Sequence, residues 1–184
     1  MSRPSRADAE RNRLKVLEVA QELFAERGDE VQMAEVARAA GVGVGTVYRH
    51  FPTRQVLVEA VAEQRFAGIL AFAEEQCLPQ PDARRALGCL LTRGGEVHEE
   101  GRGLSGVIDA TFGSTAPRGG AVGDALIAVG EELARRGRTD GSLRPDVTVA
   151  DLYMAVGAVA MLSRHAVGDW RRFRDLTLDG LAAG

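Results

Sequence analysis

Apolar residues recur at helical spacing along almost the whole chain. Between Ala9 and Arg27, Val16, Leu17, Ala20, Leu23 and Phe24 repeat with charged residues between them, and Gly28 follows, which predicts a first helix. Met33, Val36, Ala37 and Ala40 make an i, i+3, i+4, i+7 stripe that Gly41 closes. After Gly41-Val42-Gly43 the same spacing runs through Val44, Val47, Tyr48 and Phe51 until Pro52 forbids continuation. Two short helices joined by a tight turn headed by glycine form the helix-turn-helix pattern, with the first helix behind them as support. On this reading Gly43, Gly45, Thr46, Arg49 and His50 lie on the outward face of the second member, the face that enters a major groove.

Beyond residue 53 the pattern predicts longer helices at about 54–77, 82–99, 104–113, 121–137, 148–166 and 169–182, separated by Gly and Pro. No alternating stretch is long enough to build a sheet. The expected fold is therefore all-α: an N-terminal three-helix helix-turn-helix domain over 1–53, followed by a helical domain over 54–184. Pro79-Gln80-Pro81 is a clear stop. Thr148-Val-Ala-Asp151 fits the capping box, in which a hydroxyl and a carboxylate satisfy the first free amides of a helix.

Composition narrows the function. The 184 residues are 45% hydrophobic and 27% charged, and no apolar run approaches the roughly 20 residues that span a bilayer. The basic start, Met1 to Arg6, runs into Ala7-Asp8-Ala9-Glu10-Arg11 rather than an apolar segment with a cleavage site, so a cytoplasmic protein without a membrane partner is expected. Net charge is −3, but residues 1–54 hold nine Lys or Arg against eight Asp or Glu. The head is thus mildly basic and the remainder acidic, the sign a DNA-binding head requires.

Cys77 and Cys89 are too few for a disulfide framework and lack CxxC spacing; buried free thiols are the first reading and a redox-active pair the second. His98, beside Glu99 and Glu100, reads as a solvated helix end, since consecutive helical residues point apart. With no nucleophile elbow, phosphate loop or metal-ligand set, neither catalysis, a cofactor nor a metal is expected.

The stretch Arg13 to Ala60, and above all Gly43-Val-Gly-Thr-Val-Tyr-Arg-His-Phe-Pro52, resembles the DNA-binding domain of TetR repressors. That resemblance implies a homodimer whose two recognition helices bind the halves of a palindromic operator in double-stranded DNA. It places residues matching Gly45, Thr46, Tyr48 and His50 at the DNA surface and the residue matching Arg54 against a phosphate. Tyr48 and Thr46 can donate hydroxyl hydrogen bonds to phosphate oxygens, and Gly45 lets the backbone approach a base edge. Tyr48 also fits the apolar stripe, so packing is the competing reading. Gly43 stands where the family commonly has Ser or Thr and still serves as an N-cap. Val44 replaces a common Lys, so a thymine methyl becomes its natural contact. An arm of Arg3, Arg6, Arg11 and Arg13 either follows the duplex or is simply solvated.

The same resemblance implies a small-molecule effector whose binding moves the fourth helix and releases the repressor. Candidate lining residues are Phe66, Ile69, Ile108, Thr111, Phe112, Leu126 and Met161, several of which are expected to be ordinary core. The last two helices are expected to dimerise through Leu152, Val156, Val159, Ser163, Trp170, Phe173 and Leu181; packing within one chain is the alternative. Two further functions compete: an effector-free DNA-associated protein, and a small-molecule carrier or enzyme with an incidental helix-turn-helix.

Overall fold

A computed structural model describes residues 6–113 and 120–184, with the Arg6 side chain outside the description. The helices are α1 (Arg6–Arg27), α2 (Met33–Ala40), α3 (Val44–His50), α4 (Arg54–Phe72), α5 (Ala83–Glu100), α6 (Arg102–Phe112), α7 (Ala121–Asp140), α8 (Val149–His165) and α9 (Trp170–Leu181). A 3-10 turn, Gly28–Glu30, follows α1, and α4 runs on into a π-helical turn, Ala73–Cys77. The described residues hold no strand, only an isolated bridge between Leu143 and Ala182. The fold is all-α, as the apolar spacing predicts. Among the described residues no helix is long and apolar enough to cross a membrane.

Packing divides the chain into two compact units, 1–64 with 101–115, and 65–100 with 116–184. These units do not coincide with the expected division at 53/54, because α6 packs on α1 and returns residues 102–112 to the N-terminal unit. Gly103 makes that contact possible: a Cβ there would stand 2.4 Å from the Phe24 carbonyl oxygen and 2.5 Å from that of Ala25. Val16, Ala20, Phe24, Val36, Ala37, Val47, Phe51, Leu57 and Val61 are buried in this first unit.

The second unit is built on α5, which packs against α7, α8 and α9. Its core joins Leu87 and Leu91 to Leu133, Leu152, Val159 and Trp170. The start of α8 follows the capping-box reading: the Asp151 N–H donates to Thr148 Oγ1 at 3.3 Å, and the Thr148 N–H donates to Asp151 Oδ2 at 2.8 Å. Asp169 caps α9 by accepting from the Arg171 and Arg172 N–H groups at 2.9 and 3.1 Å.

Three pairs fix an antiparallel register between the end of α4 and α5. Arg65 meets His98, Phe72 lies under Arg93, and Cys77 is bonded to Cys89. The cysteines are therefore a disulfide, a correction to the free-thiol reading. The Pro79–Pro81 break folds the chain back so that residues 12 apart in sequence come within 5.3 Å at Cα.

Candidate nucleic-acid interface

The turn before α3 is fixed by backbone chemistry. Gly41 is left-handed, at φ 66°, and its N–H and that of Val42 donate to the Arg38 and Ala37 carbonyls at 3.1 and 3.0 Å. A side chain at this φ would be strained. Gly43 then caps α3 with extended backbone, its carbonyl accepting from the Thr46 N–H at 2.8 Å. Gln32 caps α2, and the Glu35 carboxylate accepts the Gln32 N–H at 3.0 Å and two Arg27 N–H groups, which fixes the start of the helix.

On α3 only Val47 is buried, and Phe51 follows it into the core. Gly43, Val44, Gly45, Tyr48 and Arg49 are exposed, and Thr46 and His50 are half-buried. Tyr48, 47% exposed, stands off the apolar stripe. A Cβ at Gly45 would meet nothing within 4 Å, so the backbone there is open to an incoming surface. The helix thus presents a hydroxyl, a guanidinium and bare backbone to the outside, while the His50 ring turns partly inward, its Nε2 buried with no hydrogen-bond partner among the described residues.

Arg54 does something else. Its guanidinium pairs with Asp29 Oδ1 at 2.9 Å, donates to the Asp29 carbonyl at 3.2 Å, and lies 5.2 Å above the centre of the Phe24 ring. It ties the start of α4 to the loop after α1, and much of its hydrogen-bonding capacity is used inside the unit. Of the basic arm, Arg3 and the Arg6 side chain lie outside the described residues. Arg11 is paired with Asp8, and Arg13 sits 5.7 Å over the Phe51 ring. Lys15, with its Nζ 3.7 Å from a Cβ built on Gly41, and the exposed Arg38 are cations near the turn that periodicity did not single out.

The expected dimer residues mostly face inward. Leu152, Val159, Ser163 and Trp170 are buried, with the Ser163 hydroxyl donating to the Gly95 carbonyl at 2.6 Å, and Val156, Phe173 and Leu181 pack at the edge of the same core. The reason is space: Gly95 lacks a Cβ, and the Trp170 ring fills the site where one would stand, 2.3 Å away. The outward stripe of α8 is instead Met154, Gly157 and Met161, and α9 exposes Leu176.

The expected effector residues are divided. Ile108, Thr111 and Phe112 belong to the first unit, where Ile108 is core and the Thr111 hydroxyl donates to the Val107 carbonyl at 2.7 Å. Phe66, Ile69 and Leu126 are half-buried in the second unit, and Met161 is 52% exposed. His98 is also corrected: it is 5% exposed, not a solvated end. Burial first, then the Arg65 and Arg164 guanidinium groups, hold its pKa down to about 3. The legible signal was Arg65, a charged residue continuing the apolar Val58, Val61, Ala62 stripe of α4.

Residues 16–61 match the family model described as bacterial regulatory proteins, tetR family. A helix-turn-helix transcriptional regulator of Staphylococcus aureus is 36% identical over 66 residues, 34% of each chain, so the match spans about a third of this curated relative's length. Two solved structures cover nearly the whole chain. A TetR regulator from Streptomyces coelicolor shares 27% identity over 93% of this chain and 98% of its own, with a TM-score of 0.65. The TetR transcription regulatory protein from Mycobacterium vanbaalenii shares 34% identity over 98% of this chain and 100% of its own, with a TM-score of 0.70. With that identity sustained from end to end and the helix-turn-helix built as described, this chain belongs to the TetR family of transcriptional regulators.

Proposed function

We propose that the protein is a cytoplasmic repressor that holds a palindromic operator through α3 and is released by a small molecule bound in its helical C-terminal part. One observation carries the DNA-binding reading: α3 buries Val47 alone and turns Val44, Gly45, Tyr48 and Arg49 outward beside a capped, rigid turn. In this reading Tyr48 and Thr46 donate to phosphates, and Arg49 supplies charge or reaches a guanine edge. Gly45 brings the backbone close, Val44 meets a thymine methyl, and His50 lies at the rim. Arg54 supports this surface from inside the unit.

A palindromic operator requires a twofold protein. The surface that supports dimerisation is the outward Met154, Gly157, Met161 stripe with Leu176, since an apolar helix face of this kind is stable when a partner covers it.

Selection of bound sequences from random DNA with the full chain is expected to return a palindrome with half-sites about one helical turn apart. Tyr48→Phe and Arg49→Ala are each expected to weaken binding, with Arg49→Ala reducing the salt slope by about 1 if its contact is a phosphate. Wild-type affinity and salt slope in both variants would remove α3 as the reading head.

A further inference from the structure

Arg65 stands in an unusual place for a cation. It lies on the apolar stripe of α4, 7% exposed, and burial alone lowers its pKa to about 10. Both of its contacts use one nitrogen: Nη2 donates to the Val97 carbonyl at 2.8 Å and meets His98 Nδ1 at 3.2 Å. Each partner is uncharged: His98 is held neutral, and its Nδ1 accepts because the arginine N–H that faces it can only donate. The second nitrogen, Nη1, is buried with no hydrogen-bond partner among the described residues. Arg93 Nε, above the Phe72 ring two turns further along α4, is in the same position.

A buried guanidinium met only by dipoles is costly, and a residue chosen for packing alone would be Leu or Met. These surplus groups are donors, so what completes them is an acceptor, and the charge they carry makes an anionic acceptor the best fit. Arg164, close enough to depress the His98 pKa, adds to the positive field.

We propose that Arg65 anchors an oxyanion, the carboxylate or phosphate group of a small molecule held in the second unit where α4 meets α5. Arg65 Nη1 donates to the oxyanion; Val97 and His98 hold the guanidinium in place through Nη2. This deepens the effector reading and rests on it for its regulatory meaning, but the site itself is a binding claim that stands alone.

The test uses the full-length protein and three probes of equal chain length: octanoate, octyl phosphate and the neutral methyl octanoate. Calorimetry and thermal melting are expected to show binding of one or both oxyanions and not of the ester; which of the two binds more tightly identifies the headgroup. Arg65→Met is expected to weaken oxyanion binding by at least about tenfold. Without ligand, the same variant is expected to melt at a higher temperature than wild type, because an uncompensated buried charge has been replaced by an apolar chain of similar length. The inference is overturned if the ester binds as tightly as the acid, if neither oxyanion binds, or if Arg65→Met melts lower and responds to oxyanions like wild type. Operator affinity of the wild type, with and without the bound oxyanion, separates the two readings. Oxyanion binding that leaves the operator complex intact keeps the site and sinks effector control, whereas operator binding with no oxyanion response sinks the site alone.

Discussion

In the α2–α3 head most of the apolar stripe is buried, at Met33, Val36, Ala37, Ala40, Val47 and Phe51, with Val44 and Tyr48 left outside, whereas in the α8–α9 pair the residues expected on an outer face turn inward. In α3 one residue, Val47, is wholly buried, and polar side chains mark the other face. In α8, Leu152, Met154, Ala155, Val156, Val159, Met161 and Leu162 are all apolar, so the helix is hydrophobic nearly all round and periodicity fixes no phase. Shape settles the matter instead. The Trp170 ring occupies the space left by Gly95, and the Leu152, Val159 and Ser163 side turns in toward α5, leaving Met154 and Met161 outside. An amphipathic helix announces its inner face; an all-apolar one has to be placed by its neighbours.

The largest effect that can break this comparison is Leu152→Ala. If Leu152 is core, the variant loses about 2–5 kcal/mol of stability at any protein concentration. Met154→Glu with Met161→Glu is expected to leave the monomer within about 0.5 kcal/mol of wild type while shifting the protein from dimer to monomer. Denaturation and light scattering across a dilution series check both. The opposite pattern would return the interface to the inner face.

The disulfide comes next. Closing a loop of this size is worth about 3 kcal/mol, chiefly by restricting the unfolded chain. Cys77→Ser with Cys89→Ser, or reduction of the wild type, is therefore expected to lower stability by about that amount, read from chemical denaturation with and without a thiol reductant. A denaturation midpoint insensitive to reductant would show that the pair contributes nothing.

The start of α8, the end of α2 and the stop at Pro52 were legible because capping and proline geometry are local. The Cys77–Cys89 pair was not, since it depends on two helices folding back across Pro79–Pro81 in one register. Arg54 illustrates the limit on the candidate site: its charge and position suit a phosphate, but its engagement with Asp29 and Phe24 is a tertiary fact. His98 was misread for the same reason, because its two acidic neighbours say nothing about what α5 packs against.

His98 gives a pH dependence of known sign. Its pKa is about 3 in the fold against 6.5 in an exposed histidine, so between those values the unfolded chain takes up a proton that the folded chain refuses. Stability therefore falls as pH is lowered from about 6.5 towards 3, by at most about 1.4 kcal/mol per pH unit from this group. His98→Gln keeps a hydrogen-bond acceptor for Arg65 and removes the titration. Denaturation at a series of pH values is expected to show a flatter curve for the variant, and a slope identical to wild type would show that His98 titrates normally.

The smallest effect on stability, and the sharpest separation within the head itself, comes from two arginines five residues apart. Arg49 projects from α3, whereas Arg54 is tied to Asp29 and stacked on Phe24. Arg54→Ala removes a partly buried ion pair and a cation–π contact, and is expected to cost about 1–2 kcal/mol. Arg49→Ala is expected to change stability by less than about 0.5 kcal/mol, because a solvated side chain away from the core contributes little to folding. Operator affinity should rank them in reverse once both are measured well below their melting temperatures. If Arg54→Ala instead leaves the melt untouched and flattens the salt slope, its charge serves DNA directly, and the distinction between a reading residue and a supporting one moves to the other side of Pro52.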